Sequence, residues 1–436
     1  MTRYHSVILD EDACKGCTVC VTTCPAEAIR VLEGKARIRA ERCIDCGICI
    51  RRCPHHAKKA LSAGLEAVLD SSAESFRVVL PAPSLYGQFP ERFSISDIHA
   101  ALVELGFDAV FPVAAATPAI ARATASFLDR SRHPDIPRPL ISSSCPTVIK
   151  LIQIRFPSLV ANVVPVIAPM ELAGRLARAA FAAEADAKPV HCTFISPCPG
   201  KITESVAPIG GGESSIDGVV AMKDVHLPIL QLLTRGFECE SSVSVSVSSP
   251  REIAWGRAGG ESEATAVDEK GAWIAVDGME QCIRILEDAE NGRLSNISFL
   301  ELMACSDGCV GGALTAANPS MARHVLRKRE EALKPGRDTL DDSLIRNSVG
   351  ESYRSEPYPS RPALLLDPDY EKALSMMEEM ERIVDSLPGL DCGCCGAPNC
   401  HALAEDIVRG RASQTDCVII LKEQYRELLD GEKKET

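Results

Sequence analysis

The 436-residue sequence lacks a basic excess, a long apolar run and a secretory leader. Its 47 Lys and Arg residues are outnumbered by 60 Asp and Glu, and the formal net charge of −13 argues against general nucleic-acid binding. No apolar run reaches the roughly 18 residues that a membrane span needs. The first residues, MTRYHSVILDEDACKGC, contain no apolar core of a signal peptide, so we expect a cytoplasmic protein.

Cysteine, in contrast, is abundant: the chain contains 20. A chain of this length can bury a large core in two to four domains, so it does not need disulfides as staples. Without export, disulfides would also not persist. We therefore expect most of these thiols to be metal ligands.

The first eight cysteines form a repeat. The spacing C-x2-C-x2-C-x3-C-P begins at Cys14 and returns at Cys43, and it is typical of two-cluster bacterial ferredoxins. Three cysteines of one repeat and the last cysteine of the other hold each cluster. The spacing predicts one [4Fe–4S] cluster on Cys14, Cys17, Cys20 and Cys53, and a second on Cys43, Cys46, Cys49 and Cys24. Structural zinc is the alternative, but zinc sites usually show two separate C-x2-C pairs.

This N-terminal module is basic within an acidic chain. Up to residue 60 it contains 11 Lys and Arg residues against 7 Asp and Glu. One interpretation is a docking face for an acidic ferredoxin or another redox protein. The other is a solvated face that offsets the negative charge of the clusters.

The last cysteine group lies in LDCGCCGAPNCHALAEDIVRGRASQTDC. This stretch resembles the single-cluster iron–sulfur domain of corrinoid proteins and electron-transport subunits. The resemblance implies a third [4Fe–4S] cluster on Cys392, Cys395, Cys400 and Cys417, with Cys394 left over. A zinc knuckle is the alternative.

Between residues 75 and 320 the sequence pattern alternates strands and helices, which predicts α/β lobes with parallel sheets. One predicted helix covers SISDIHAALVELGF, with Ser96 as its N-cap. Three cysteines, Cys145, Cys198 and Cys305, follow predicted strands directly. Because ligands of parallel sheets bind at the carboxyl ends of the strands, a metal is expected there. Cys192, Cys239 and Cys282 are expected to be thiols without a metal.

Three cysteine loops resemble those of [FeFe]-hydrogenases. SSSCP, SPCPGKITE and ELMACSDGCVGGA stand in the order of the family forms TSCCP, PCxxKxxE and MxCxxGCxGG. By this resemblance Cys145, Cys198, Cys305 and Cys309 hold a [4Fe–4S] subcluster, and Cys309 bridges to a diiron unit that carries CO, cyanide and a dithiolate. The resemblance also implies a cyanide-binding Lys201, an apolar wall at Met303, and contacts from Ala82, Pro83 and Ser84. Glu204 is expected to be either a carboxylate supporting the site or a surface partner of Lys201.

The chain departs from the family pattern at three places. Ser144 occupies the position of the cysteine that relays protons in the family, and Ser196 replaces a methionine. The family's GGGQP is GGALT here. A hydroxyl has a much higher pKa than a thiol, so proton delivery through Ser144 should be slower. The combination resembles the sensory or low-activity branch of the family.

We therefore expect an α/β catalytic domain of two parallel-sheet lobes, a bacterial-ferredoxin α+β domain and a small helical iron–sulfur domain. The predicted boundaries are 1–65 for the ferredoxin domain, 75–334 for the catalytic domain, 335–370 for a linker, and 371–436 for the C-terminal domain. The implied function is binding or slow, reversible conversion of H2, with maturation proteins and a redox or signalling partner. The alternative is a non-catalytic electron-transfer or assembly protein that lacks the diiron unit.

Overall fold

The computed structural model describes residues 5–129, 131, 133–237, 243–247, 249–265, 272–333 and 338–432. The chain forms two compact units. The first contains Met1–Ser6, Ile44–Gly47 and Ala60–Arg361, and the second contains Val7–Cys43, Ile48–Lys59 and Pro362–Thr436. The N-terminal and C-terminal cysteine-rich segments thus belong to the same unit. Within the described ranges, no helix combines the length and apolarity of a membrane span.

The strands follow the chain in this order: β1 Val7–Leu9, β2 Ile29–Leu32, β3 Lys35–Ile38, β4 Lys58–Ala60, β5 Phe76–Pro81, β6 Ala109–Val110, β7 Leu140–Ile141, β8 Val190–Ser196, β9 Gly218–Ala221, β10 Val243–Ser244, β11 Ala272–Asp277 and β12 Ile297–Met303.

The α-helices follow the chain in this order: α1 Val19–Thr22, α2 Ile48–Arg52, α3 Leu65–Ser71, α4 Ile95–Glu104, α5 Thr117–Leu128, α6 Pro146–Arg155, α7 Pro169–Ala180, α8 Pro199–Val206, α9 Met222–Arg235, α10 Pro250–Ala254, α11 Gly260–Ala264, α12 Met279–Glu290, α13 Pro319–Ala332, α14 Asp342–Glu351, α15 Tyr370–Ser386, α16 Cys400–Val408 and α17 Val418–Glu432.

Two parallel sheets form the centre of the first unit, which confirms the α/β expectation. One sheet has the order β10-β6-β5-β8-β9, and the other has the order β11-β12-β7. Strand β12 is buried along its whole length, and β5 and β8 are buried except for their first two residues. Such continuous burial is typical of parallel strands covered on both faces. The loops after β5, β7, β8 and β12 carry the predicted site residues.

The N-cap of α4 differs from the prediction. Ser94, not Ser96, caps the helix: its Oγ accepts from the backbone N–H of Asp97 at 3.0 Å. The Asp97 carboxylate accepts in return from the N–H of Ser94 at 2.7 Å. This capping box needs an acidic residue three positions after the serine, and Ser94 meets that condition with Asp97.

Two polar segments are more ordered than their composition predicts. The predicted linker contains the ten-residue helix α14, whose N-cap Asp341 accepts from the N–H groups of Ser343 and Leu344. The alternating segment SSVSVSVSS, residues 241–249, includes β10, which is an edge strand of its sheet and pairs with β6. Cys239 lies outside the described residues.

The second unit is held by small local elements. Strands β2 and β3 form an antiparallel hairpin, with Ile29 opposite Ile38. Its two turn residues, Glu33 and Gly34, both have positive φ, as a type I′ turn requires. Apolar residues and cysteines pack together in two cores, one around Cys14 and Cys20 and the other around Cys395 and Cys417.

A buried ion pair ties Asp45 into the first unit. Its fully buried carboxylate accepts from Lys150 Nζ at 2.6 Å, from Thr203 Oγ1 at 2.8 Å and from the Ser6 N–H at 2.9 Å. We expect Asp45→Ala to lower the free energy of unfolding by about 3–5 kcal/mol, because it removes one partner of a buried charge pair.

Urea unfolding followed by tryptophan fluorescence checks this expectation, since both tryptophans, Trp255 and Trp273, lie in the first unit. The control is Arg122→Ala, which breaks an exposed pair with Asp342 and should cost about 0–1 kcal/mol. Equal midpoints for the two variants would contradict the prediction.

Candidate functional site

A single cavity in the first unit collects the predicted hydrogenase-like residues. All four loop cysteines line it, at the ends of β7, β8 and β12. The other predicted residues that line it are Ala82, Pro83, Ser84, Ser144, Lys201 and Met303. Residues more than 200 positions apart meet here because the carboxyl ends of parallel strands lie at the same edge of their sheets.

The thiols of this cavity stand close enough to affect each other's ionisation. Burial raises the pKa of Cys198 to about 12, and the neighbouring thiol of Cys145 adds to the shift. Burial also raises the pKa of Cys309, again with contributions from Cys198 and Cys145. Buried thiolates that repel each other need a bound cation, and metal binding deprotonates such ligands.

Two glycines allow the third cysteine loop to approach its neighbours. An ideal Cβ on Gly312 would lie 2.2 Å from the carbonyl oxygen of Pro197, in the second cysteine loop. Gly308 has a φ of +87°, and its Cβ would lie 2.6 Å from the Ala258 nitrogen. A side chain at Gly312 would therefore push the third cysteine loop away from the second, and a side chain at Gly308 would push it away from Ala258.

Lys201 forms a buried ion pair with Glu204, whose Oε2 lies 2.9 Å from Nζ. Burial disfavours the charged lysine, but the Glu204 carboxylate outweighs this effect and raises the pKa of Lys201 above its usual value. Lys201 therefore brings a positive charge to the cavity wall. Glu204 is 7% exposed, so it is a buried partner rather than a surface one.

Three buried polar donors on the cavity wall have no hydrogen-bond partner among the described residues. They are the hydroxyls of Ser84 and Ser144 and the indole N–H of Trp255. A buried donor left unpaired costs about 1–3 kcal/mol, so such donors usually face a ligand or water. The remaining wall is apolar, with Met303, Leu302 and Phe194. These donors and Lys201 fit a group that presents cyanide and CO to the wall.

Two buried carboxyl groups beside the cavity were missed at the sequence level. Glu261 lines the cavity and accepts from the Ser142 hydroxyl at 2.5 Å. Burial, followed by the charge of Glu301, raises the pKa of Glu261, while the hydroxyls of Ser142 and Ser144 partly oppose the shift. Glu301 accepts from the N–H groups of Gly259 and Ser262. For Glu301 the sequence did offer a sign, because this acidic residue stands within the mostly apolar strand ISFLELM.

Ser196 is not among the residues that line the cavity. Its hydroxyl donates to the Cys198 carbonyl at 2.8 Å and accepts from the Cys198 N–H at 3.3 Å. It thus shapes the second cysteine loop. Among the cysteines expected to lack a metal, Cys192 and Cys282 are fully buried.

The second unit brings together the ligands predicted for the first ferredoxin cluster. Cys14, Cys17, Cys20 and Cys53 line one cavity. Burial raises the pKa of Cys20, and the other three thiols of this set contribute. The Ala57 N–H donates to Cys53 Sγ at 3.3 Å, as expected where backbone groups surround sulfur ligands.

Of the second predicted set, Cys24 and Cys49 are neighbours in the second unit. Burial raises the pKa of Cys49 to about 12, and Cys24 adds to the shift. Cys43 belongs to the same unit, and Cys46 lies in the Ile44–Gly47 segment of the first unit.

The C-terminal cysteines also gather within the second unit. Burial raises the pKa of Cys395, with contributions from Cys417 and Cys392. Cys400 begins α16 and packs with Cys395 and Cys417 in one core. The Cys394 side chain is exposed.

Three family models match the chain. The model of the iron only hydrogenase large subunit, C-terminal domain, matches residues 75–266 and 256–313, which together are more than half of the chain. A 4Fe-4S dicluster domain matches residues 6–54, and a putative Fe-S cluster domain matches residues 387–419.

Known proteins agree with these matches. Iron hydrogenase 1 of Clostridium pasteurianum is 23% identical in an alignment of 362 residues that covers 69% of this chain. The alignment spans 62% of the length of that relative. Two variants of the [FeFe]-hydrogenase from Chlamydomonas reinhardtii share the fold, with TM-scores of 0.50 and 0.51 at 17% and 16% identity. In both cases 69% of this chain and 99% of the other are covered.

Proposed function

The chain belongs to the iron-only hydrogenase large-subunit family, and on this premise we propose that it binds H2 and converts it slowly and reversibly to two protons and two electrons. The proposal rests on the residues that line one cavity. Four cysteines, a charged lysine and three unpaired donors surround the same space. A [4Fe–4S] cluster alone would need neither the lysine nor the donors.

The residues that would hold the cofactor are Cys145, Cys198, Cys305 and Cys309. When bound, the diiron unit supplies the open metal position at which H2 is split or formed. Lys201, kept charged by Glu204, would bind an anionic cyanide through charge-assisted hydrogen bonds. Ser84 and Trp255 would orient the unit with their free donors. Met303 would exclude water from its apolar side.

Glu261 is our candidate proton acceptor for this reaction. The cysteine that relays protons in the family is Ser144 here, and a hydroxyl is a poor acid near neutral pH. The Glu261 carboxyl lines the cavity and contacts the Ser142 hydroxyl, so it holds a proton within one hydrogen bond of the serine loop. Its raised pKa brings it closer to the neutral range that proton transfer requires.

Electrons would leave through [4Fe–4S] clusters on the cysteines of the two N-terminal repeats and of the C-terminal segment. We propose three such clusters, with the ligand sets given by the spacing and by the C-terminal resemblance. The acceptor would be a ferredoxin or another one-electron redox protein. The serine at position 144 favours a sensory role, in which slow turnover reports H2 to a signalling partner.

Infrared spectroscopy of anaerobically purified protein, produced with hydrogenase maturation proteins, tests the proposal. We expect CO and cyanide stretching bands, which only the diiron unit supplies. Their absence would refute the proposal and favour the non-catalytic electron-transfer or assembly protein.

Ser144→Cys should raise H2 turnover, because a thiol transfers protons more readily than a hydroxyl. The measurement is H2 oxidation with an artificial electron acceptor, normalised to the intensity of the infrared bands. Ser143→Cys, one residue away in the same loop, is the control. Unchanged turnover in Ser144→Cys would show that protons take another route.

A further inference from the structure

We propose that the C-terminal [4Fe–4S] cluster exchanges electrons directly with the cluster on Cys14, Cys17, Cys20 and Cys53, and so forms the outer end of the electron path. This inference rests on the proposed function in one respect, that both cysteine sets hold [4Fe–4S] clusters. It goes further because neither the spacing nor the resemblance says which clusters are neighbours.

The C-terminal cysteine loop lies along the free edge of the ferredoxin hairpin. The Val31 N–H, in β2, donates to the carbonyl oxygen of Gly396 at 3.0 Å. Gly396 directly follows Cys395, one of the proposed ligands. This hydrogen bond extends the edge of the hairpin with the cluster loop, in the manner of an added strand.

Two glycines permit this close approach. An ideal Cβ on Gly396 would lie 2.2 Å from the Val31 carbonyl oxygen, and its φ of +85° also favours glycine. An ideal Cβ on Gly393 would lie 2.8 Å from Cγ2 of Thr22, which stands two residues after Cys20 and two residues before Cys24. The loop that carries Cys392 and Cys395 therefore has no side chain between it and the ferredoxin segment at these positions.

Val31 also lines the cavity of the first ferredoxin cluster, together with Cys14, Cys17, Cys20 and Cys53. The same residue thus contacts the C-terminal loop through its backbone and contributes to the wall of the ferredoxin cavity. One residue separates the two proposed cluster sites at this point.

Buried ion pairs hold the two segments together. Asp406 of α16 accepts from Arg30 and from Arg39, each at 2.5 Å. Its neighbour Glu405 forms a two-pronged pair with Arg42, and Arg30 and Arg42 are almost completely buried. Such bidentate, desolvated pairs fix geometry more than they add stability.

These pairs also change the interpretation of the basic N-terminal module. Three of its arginines bind acidic residues of the same chain, and Asn399 donates to Glu27 at 2.7 Å beside them. This part of the basic surface is therefore covered by the C-terminal domain. The exposed side chain of Cys392 places one edge of the outer cluster near solvent, where a redox partner can approach.

Electron paramagnetic resonance of the fully reduced, full-length protein tests this order. Protein made without maturation proteins should be used, so that the diiron unit plays no part. We expect the signal of the C-terminal cluster to be broadened by a magnetic neighbour. The broadening should be lost in Cys17→Ala, which removes a ligand of the first ferredoxin cluster, and should persist in Cys49→Ala, which removes a ligand of the second.

A matched pair of glycine variants tests the close approach of the C-terminal cysteine loop to the ferredoxin hairpin. Gly396→Ala should weaken the magnetic interaction, because the new methyl group collides with Val31. Gly410→Ala should leave it unchanged, since Gly410 also has a positive φ but no atom lies within 4 Å of its ideal Cβ. Iron and sulfide contents are measured for each variant, so that a lost cluster is not mistaken for a lost interaction.

Three results would overturn the inference. They are a wild-type spectrum equal to the sum of isolated clusters, a broadening that disappears in Cys49→Ala rather than in Cys17→Ala, and an iron content that leaves no third cluster. Failure of the proposed function is distinguishable, because it appears as missing infrared bands in the matured protein while the magnetic interaction remains.

Discussion

Replacing Cys309 with serine should abolish H2 turnover and remove the CO and cyanide infrared bands. Cys309 lines the cavity close to Cys145 and Cys198, and burial raises the pKa of its thiol together with the charge of those neighbours. On the proposed function, Cys309 would also help to hold the diiron unit beside the [4Fe–4S] subcluster. Its loss would therefore prevent the diiron unit from being retained.

The matched control is Cys282→Ser. Cys282 is also fully buried in the first unit, and its thiol donates to the Met303 carbonyl at 3.4 Å, but it does not line the cavity. A serine hydroxyl can make the same hydrogen bond, so bands and turnover should persist. If Cys309→Ser kept its bands, or if Cys282→Ser lost them, our assignment of the bridging ligand would be wrong.

Glu261→Gln should reduce H2 turnover by roughly 10²–10⁴-fold, the usual contribution of a general acid or base. Glutamine can still accept a hydrogen bond from Ser142 but cannot take up or release a proton. Because burial raises the pKa of Glu261, the wild-type residue keeps its proton at pH values where an exposed glutamate is ionised. The measurement is H2 oxidation, normalised to the infrared bands, which should be unchanged.

Glu252→Gln provides the control for this substitution. Glu252 is fully buried, and its carboxylate accepts from the N–H and the hydroxyl of Thr339, away from the cavity. We expect turnover close to wild type. Equal losses in both variants would assign the Glu261 effect to general damage of the fold, and an unchanged rate in Glu261→Gln would exclude it as the proton acceptor.

Short sequence patterns were sufficient to predict much of the structure of this protein. The proposed ligand sets of the cysteine repeats were predicted from spacings of two and three residues. The hairpin between the repeats follows from the Glu33–Gly34 turn, and the parallel sheets follow from alternating strands and helices. These features depend on interactions between near neighbours in the chain. They are therefore present in the sequence as short motifs.

Long-range contacts account for what the sequence did not predict. Ser142 and Glu261 are 119 positions apart, and the carboxyl group became a candidate only when their contact was visible. Arg30 and Asp406 are separated by 376 positions, yet their ion pair joins the N-terminal and C-terminal cysteine segments. In the sequence each of these residues looks like an ordinary polar or charged residue.

The sequence by itself thus determined the family, the metal ligands it implies, and the missing relay cysteine at position 144. Only the tertiary structure decided which carboxyl group stands beside the serine loop and which cysteine segments share a unit. The physical reason is that metal-ligand spacing is a local property of the chain. Burial and proximity, which raise the pKa of Glu261 and support the proposed order of the clusters, arise when distant segments pack together.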